Sequence, residues 1–263
     1  MLEKFTQNGA ILNAEALRCA LGKDGEGVAL FVHEEIDSTN TEAKRLSAQG
    51  YTGRAIIAAE RQSAGRGRMG RSFYSPERTG AYFSILYTPN GALGDAVRIT
   101  SAASVAVMRA IRALTGKQTL IKWVNDLYLD SKKVCGILTE AVTSTAGTQI
   151  IVGIGINLST SLFPQELEGV AGSLNSPDVT VCALIAEIFR ELLPYLDDPE
   201  DRSWLADYRV FSCVLGREII WTRGEERFCG IARDVDADGA LLVTRSDGAE
   251  ERLHTGEISI RFS

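Results

Sequence analysis

The sequence has little from which to build a metal framework. Histidine occurs only as His33 and His254, and the five cysteines (Cys19, Cys135, Cys182, Cys213, Cys229) are scattered with no CxxC pair. That pattern excludes a recognisable zinc site and implies reduced, mostly buried thiols of the kind found in cytosol. Long apolar runs are also missing. No segment approaches the ~20 apolar residues of a membrane span, and the opening Met1-Leu2-Glu3-Lys4-Phe5 lacks the apolar stretch of a signal peptide. A cytoplasmic protein without a membrane partner is the expectation. Nor is there an excess of positive charge: the formal net charge is -6, so the surface offers a DNA backbone no general attraction. Internal repeats and low-complexity linkers are absent. What remains is 263 residues, 45% hydrophobic and 24% charged, enough for one large domain or a main domain with a small appendage.

Hydrophobic periodicity marks the elements. Residues 11–21 space Ile11, Leu12, Ala16, Leu17 and Ala20 at helical intervals, and Gly22 stops the run. Val28–Glu34 reads as a strand. Asp37-Ser38-Thr39-Asn40 then opens a helix to about Gln49, with Thr39 and Glu42 at capping-box spacing. Ala55–Glu60 and Ala81–Thr88 read as strands on either side of a Gly/Arg loop. Val97–Leu114 is a long helix, apolar on most of its circumference and therefore central. Four strands follow (Thr119–Val124, Leu127–Leu129, Val134–Val142, Thr148–Asn157), and Val181–Leu196 is the last long helix. From about Cys213 the texture changes to short β-like runs alternating with Asp238-Gly239 and Asp247-Gly248 turns, the pattern of a small all-β unit. The domain boundary is expected near residues 210–214.

The most informative stretch is Gln62-Ser63-Ala64-Gly65-Arg66-Gly67-Arg68-Met69-Gly70-Arg71. Its three glycines allow positive φ and exposed backbone N–H groups. Its three arginines would repel one another without an acidic counterpart, and in sequence only Glu60 and Glu77 lie nearby. A polyanionic ligand is the simplest remedy, because guanidinium groups grip phosphate oxygens in a fixed fork. Such a loop is expected to be mobile when empty and ordered by phosphates. Gly65-x-Gly67-x-x-Gly70 is not a dinucleotide fingerprint, since Ser72-Phe73-Tyr74-Ser75-Pro76 is poor helix material. Nor is Gly116-Lys117-Gln118 a phosphate-binding loop of the Walker type, lacking Ser or Thr after the lysine.

Other constellations are weaker. Lys122-Trp123-Val124-Asn125-Asp126 joins a strand to a turn, where Asn-Asp is ordinary turn chemistry but also where functional side chains are presented. Lys132-Lys133 in the next turn is either merely solvated or functional. Gly153-Ile154-Gly155-Ile156-Asn157 is a strand with two glycines, read as a bulge or as the close approach of a backbone or ligand. Asp37-Ser38-Thr39-Asn40 is explained by helix capping, yet its hydroxyl and amide groups could equally bind a small polar ligand.

In this order, these pieces resemble the biotin–protein ligase family. The resemblance rests on Asp37 to Asn40, Gly65 to Arg71, Lys122 to Asp126, Lys133 with Gly136-Ile137-Leu138, Gly155-Ile156-Asn157 and Gly256-Glu257-Ile258-Ser259. It runs from about residue 10 to the C-terminus. It implies an α+β fold: a mixed-sheet catalytic domain of the biotin/lipoate ligase type, residues 1–212, and a C-terminal SH3-like small β-barrel, residues 213–263. It also implies ATP-dependent activation of biotin to biotinoyl-5′-AMP, with Mg²⁺ as activating ion and no structural metal. Transfer to a lysine of a biotin carboxyl carrier protein domain of a biotin-dependent carboxylase follows.

By the same resemblance the catalytic residues are Lys133, Arg68 and Asp126, with Asp126 receiving or orienting the incoming lysine. Ser38, Thr39, Asn40, Gln62, Gly65, Arg66 and Gly136 bind biotin, together with Arg68 and Lys133. ATP falls to Arg66, Arg68, Arg71, Phe73, Asn125, Lys133 and Asn157. Two departures stand out. Phe73 occupies a place where the family usually has Trp, which weakens stacking on adenine. Val124 replaces a Pro and removes a rigid φ. Repressor-type members carry a winged helix ahead of the matched segment, and too few residues precede it here, so the resemblance implies an enzyme with no DNA partner. A homodimer is allowed. A lipoate–protein ligase, which is not expected to carry the Gly/Arg loop, and a non-catalytic biotin- or nucleotide-binding regulator are the alternatives.

Overall fold

The computed structural model describes residues 12–89, 96–144, 147–223, 225–254 and 258–260. Ile11, Gly256 and Glu257, singled out from sequence, lie outside these. The first helix, α1 (Ala14–Leu21), starts on Asn13, whose side chain accepts from the Ala16 N–H. Then come β1 (Ala29–Ile36), α2 (Thr39–Ala48), β2 (Ala55–Gln62) and β3 (Gly80–Tyr87). The long α3 (Ala96–Thr115) precedes β4 (Leu120–Lys122), β5 (Asp126–Leu129), β6 (Lys132–Ser144) and β7 (Gly147–Asn157). Two helices, α4 (Val181–Asp197) and α5 (Trp204–Phe211), close the larger part. The strands β8 (Glu218–Arg223), β9 (Glu226–Val235), β10 (Leu241–Arg245), β11 (Glu250–Leu253) and β12 (Ile258–Ile260) follow.

The first seven strands form one mixed sheet in the order β1-β2-β3-β7-β6-β5-β4. Among the described strand pairs only β1 and β2 run parallel, because α2 carries the chain back across the sheet between them. The last five form a separate antiparallel sheet, β11-β10-β9-β8-β12, of the SH3-like type. This is the α+β architecture expected from sequence.

Both faces of the large sheet are covered. Ile56, Phe83, Ile85 and Val152 face the main core with α1, α3 and α4, while Ile57, Leu86 and Ile151 pack on Ala43 and Leu46 of α2. Double coverage is why β2 reads as a continuous apolar run rather than an alternation. Arg109 ties the helical layer together, donating to Asp207 of α5 at 2.8 Å and to the Tyr195 hydroxyl of α4 at 2.9 Å.

One local expectation is corrected. The capping box does not form: the N-cap is Ser38, with no side-chain cap bond, and the Thr39 hydroxyl instead donates to Gln62 Oε1 at 3.2 Å. Glu42 accepts from Arg45 at 2.9 Å rather than reaching back. The short α5 went unread, although Trp204 and Tyr208 stand four residues apart on its buried face. An eight-residue helix with no side-chain cap gives periodicity little to work on.

The strand with two glycines holds no bulge at those residues: β7 pairs in continuous register with β3 and β6. Side chains are what approach there. A Cβ on Gly153 would lie 1.9 Å from Asn40 Oδ1, and one on Gly155 would lie 2.5 Å from the Phe73 ring. Gly153→Ala should therefore displace Asn40 and destabilise the protein by about 2 kcal/mol. Urea unfolding of the variant against wild type checks this.

Candidate active site

The irregularity that matters is on β6. The β5–β6 register runs Asp126 with Gly136 and Leu127 with Cys135, then jumps to Tyr128 with Lys133. Val134 is thus the extra residue. In an unbroken strand Gly136 and Val134 would share a face and Lys133 would point to the other. One bulged residue turns Lys133 back onto the face of Asp126 and Gly136. The tight turn between the strands, with positive φ at Asp130 and Ser131, sets up this geometry. As a result Lys133 Nζ meets Asp126 Oδ1 at 2.6 Å.

The Gly/Arg loop doubles back on itself. The Gly67 N–H donates to the Arg71 carbonyl at 2.7 Å and the Phe73 N–H to the Gly65 carbonyl at 2.9 Å. These N–H groups are used internally instead of being offered to an anion. Of the three glycines only Gly70 has positive φ. Gly65 is required by space, since a Cβ there would sit 2.4 Å from the Phe73 carbonyl oxygen. The arginines also have partners that sequence proximity concealed. Arg66 pairs with Glu140, seventy-four residues on, at 3.2 Å, and Arg68 donates to Asn125 Oδ1 at 3.4 Å. Glu60, a neighbour in sequence, is engaged by Arg78 instead.

Loop, sheet and helix start enclose one cavity of about 240 Å³. Its order is set by β7, on which Gly153 and Gly155 stand about 7 Å apart. At one end Asn40 lies over Gly153, beside Thr39, whose N–H donates to Gln62 Oε1 at 2.9 Å. Ser84, fully buried on β3, is 2.7 Å from Thr39 Oγ1 and 2.6 Å from Asn40 Oδ1. The Phe73 ring covers Gly155 and reaches Gly136. Beyond it stand Lys133, Asp126, Asn125 and Arg68.

Ser38, Arg66 and Arg71 complete the sequence-proposed residues in the lining. Gly65 and Asn157 are not part of it. Gly65 is packed beneath the loop. Asn157 is buried at the end of β7, where its amide donates to the Gly172 carbonyl at 2.9 Å. Trp123, Lys122, Ile154 and Leu138 also line the cavity, as do Ile258 and Ser259 of the small sheet. Reading the sequence attached none of these to a role.

Glu140 is the residue that sequence reasoning missed most completely. It accepts from Lys44 at 2.8 Å, from Asn40 at 2.9 Å and from Arg66. Burial pushes its carboxyl up, but the Lys44 and Asn40 hydrogen bonds and the charges of Lys44 and Arg66 outweigh this and leave it below the ordinary carboxylate value. Nothing in an isolated Thr139-Glu140-Ala141 signals such a hub, because its three partners come from two distant segments.

Comparison with known proteins follows the geometry. The family model described as Biotin/lipoate A/B protein ligase family matches residues 32–157, and Biotin protein ligase C terminal domain matches residues 214–261. A biotin--[acetyl-CoA-carboxylase] ligase from Paracoccus denitrificans is 33% identical over 231 residues, spanning 81% of this chain and 93% of the relative. The chain belongs to the biotin–protein ligase family. Within the family, the bifunctional ligase/repressor BirA of Bacillus subtilis is 28% identical over 95% of this chain and 79% of its own length. Among solved structures, the Aquifex aeolicus biotin protein ligase in complex with biotin and ATP superposes with a TM-score of 0.72 at 27% identity. That match covers 89% of this ligase and 99% of the other chain.

The lowered Glu140 value fixes a sign. The cluster it anchors contributes stability above the ordinary carboxylate range and loses it as pH falls through the depressed folded value. Glu140→Gln should therefore flatten the acid limb of the stability profile. Urea midpoints between about pH 3 and 7, wild type against variant, test this; parallel profiles would refute it.

Proposed function

We propose that this ligase condenses biotin with ATP to biotinoyl-5′-AMP and pyrophosphate, then passes the biotinoyl group to a lysine amine of a carboxylase carrier domain. The observation that carries the reading is the composition of the cavity. One end is an ordered set of neutral donors and acceptors (Ser38, Thr39, Asn40, Gln62), suited to a ureido ring. Beyond Phe73 the cavity holds Arg68 and Lys133, with Arg66 (paired to Glu140) and Arg71 also in the lining, a set of cations suited to a carboxylate beside phosphates.

In the first step the biotin carboxylate oxygen attacks the α-phosphorus of ATP and pyrophosphate leaves. Negative charge grows on the α-phosphate oxygens, so fixed cations aimed there lower the barrier. Lys133 leaves Asp126 to contact the carboxylate and α-phosphate oxygens. Arg68, steadied by Asn125, holds the adenylate, and Phe73 offers its ring to the adenine. In the second step the carrier lysine attacks the acyl carbon and AMP departs. Asp126, released by Lys133, receives the incoming ammonium and orients it; the neutral amine attacks once one proton has passed to Asp126 or solvent, and the second is lost to solvent as the amide forms.

Among the described residues no group of three or more His, Cys, Asp or Glu could hold a metal ion alone. An activating Mg²⁺ would therefore arrive with the nucleotide, held chiefly by phosphate oxygens. Bound there, it would neutralise phosphate charge. We take residues 1–212 and 213–263 as two domains, a division supported by the separate sheets and by the C-terminal match beginning at residue 214. A cytoplasmic location fits the five free cysteines and the lack, among the described residues, of any helix long and apolar enough to cross a membrane.

Mass spectrometry of the folded protein with biotin, ATP and Mg²⁺, beside a lipoate control, tests the reaction. Biotinoyl-adenylate from biotin and nothing comparable from lipoate is expected. Adenylate from lipoate alone would make the chain a lipoate ligase, and none from either would leave a binder without turnover. Lys133→Ala should slow adenylate formation by about a hundredfold or more with the fold intact. Arg68→Ala should speed release of the adenylate more than it weakens biotin binding; unchanged release would remove its retention role.

A further inference from the structure

Trp123 is nearly buried, lines the cavity and stands two residues before Asn125 and three before Asp126. Its indole N–H does not bond within the large sheet. It donates to the Gly239 carbonyl, in the turn between β9 and β10 of the small sheet, at 2.9 Å. The other two tryptophans differ: the indole nitrogens of Trp204 and Trp221 are buried without a hydrogen-bond partner.

The turn that supplies the acceptor is heavily constrained. Asp236 Oδ1 accepts from the Asp238 and Ala240 N–H groups at 2.9 and 3.0 Å, and the Gly239 N–H donates to the Asp236 carbonyl at 3.0 Å. Arg252 grips the outside of the turn, donating to Asp236 and, at 2.7 Å, to Asp238. Gly239 has φ +83°, and a Cβ there would lie 2.8 Å from Ser101 Oγ and 3.1 Å from the Val97 carbonyl. The tip is thus pressed against α3, its carbonyl fixed on the indole.

We infer that the β9–β10 tip is a positioning device for the active site, in which the Gly239 carbonyl holds Trp123 and through it keeps Asn125 and Asp126 in register with Arg68 and Lys133. The turn residues 236–240 are not part of the cavity lining. Gly239 acts through Trp123, and Trp123 acts on the end of the cavity where the phosphates are handled. The biotin end is held separately by Gln62, Ser84 and Glu140 and does not depend on the tip. The small sheet therefore contributes to the first half-reaction from behind the cavity, in addition to presenting Ile258 and Ser259 at its edge. The kinetic part of this inference rests on the proposed ligase reaction; the structural coupling does not.

The test uses Gly239→Ala and Trp123→Phe in the full chain. Trp123→Phe keeps an aromatic ring while removing the donor together with part of the ring system, so it guards against a Gly239 variant that fails to fold. Trp123→Phe assigns the indole N–H resonance in a ¹⁵N spectrum. Gly239→Ala should move that resonance and hasten its hydrogen exchange, and should shift the Asn125 and Asp126 amides. In adenylate formation both variants should lose about tenfold in kcat, as for one buried hydrogen bond, with KM for ATP raised and KM for biotin within about twofold.

Wild-type kcat in a Gly239→Ala protein whose indole signal has moved would overturn the inference. So would equal rises in both KM values, which would mean general softening. If wild type makes no adenylate, the ligase reading fails by itself. The resonances then decide alone, and unmoved Asn125 and Asp126 amides in Gly239→Ala would refute the coupling.

Discussion

Three glycines on two neighbouring strands leave part of the large sheet without side chains, and the site exists because that area is bare. Gly136 on β6 faces Gly155 on β7, and Gly153 lies one step further along. Ordinary residues at these positions would fill the space over the sheet. In their place Asn40 arrives from the start of α2, Phe73 from the Gly/Arg loop and Lys133 from its own strand. Each of the three brings a partner network with it. The glycines lose conformational entropy on ordering, a cost offset by sheet pairing on both sides.

Charges in the cavity are held in pairs before any ligand arrives. Lys133 rests on Asp126, and Arg66 rests on Glu140. Clustering several cations in one small volume would otherwise oppose folding, since each must give up water without compensation. The carboxylates supply that compensation and occupy the directions a phosphate or carboxylate ligand would take. Binding then becomes an exchange of one anion for another. In the proposed mechanism, use of Lys133 and availability of Asp126 are linked through the same exchange, since the two are paired at 2.6 Å.

The small sheet has two relations to the large one. It lends Ile258 and Ser259 to the cavity lining, and it braces Trp123 from behind. The edge strand β4, only three residues long, pairs with β5, and the following turn is tied to β6 by two bonds between Asn125 and Ile137, each 2.9 Å. The Trp123 bond to the second sheet adds to this pairing from the other side of the turn.

Much of the protein was legible in the residues. The order of strands and helices followed from periodicity and from Gly stops such as Gly22 and Gly116, because these are local effects of side-chain spacing and backbone freedom. Arg66, Arg68 and Arg71, singled out in one loop, all line the cavity, as do Ser38 to Asn40, which the residues alone left open between capping and binding. Tertiary structure decided the rest. Glu140 became an anchor only when β6 was laid beside α2. The bulge at Val134 fixed which face Lys133 uses, and a single inserted residue leaves no sign in composition or period. Gly65 and Asn157 belonged to the matching pattern yet stand outside the lining, since a motif records sequence order and not direction. Local spacing settles what each segment becomes; partners hundreds of bonds apart along the chain are chosen only when the segments pack.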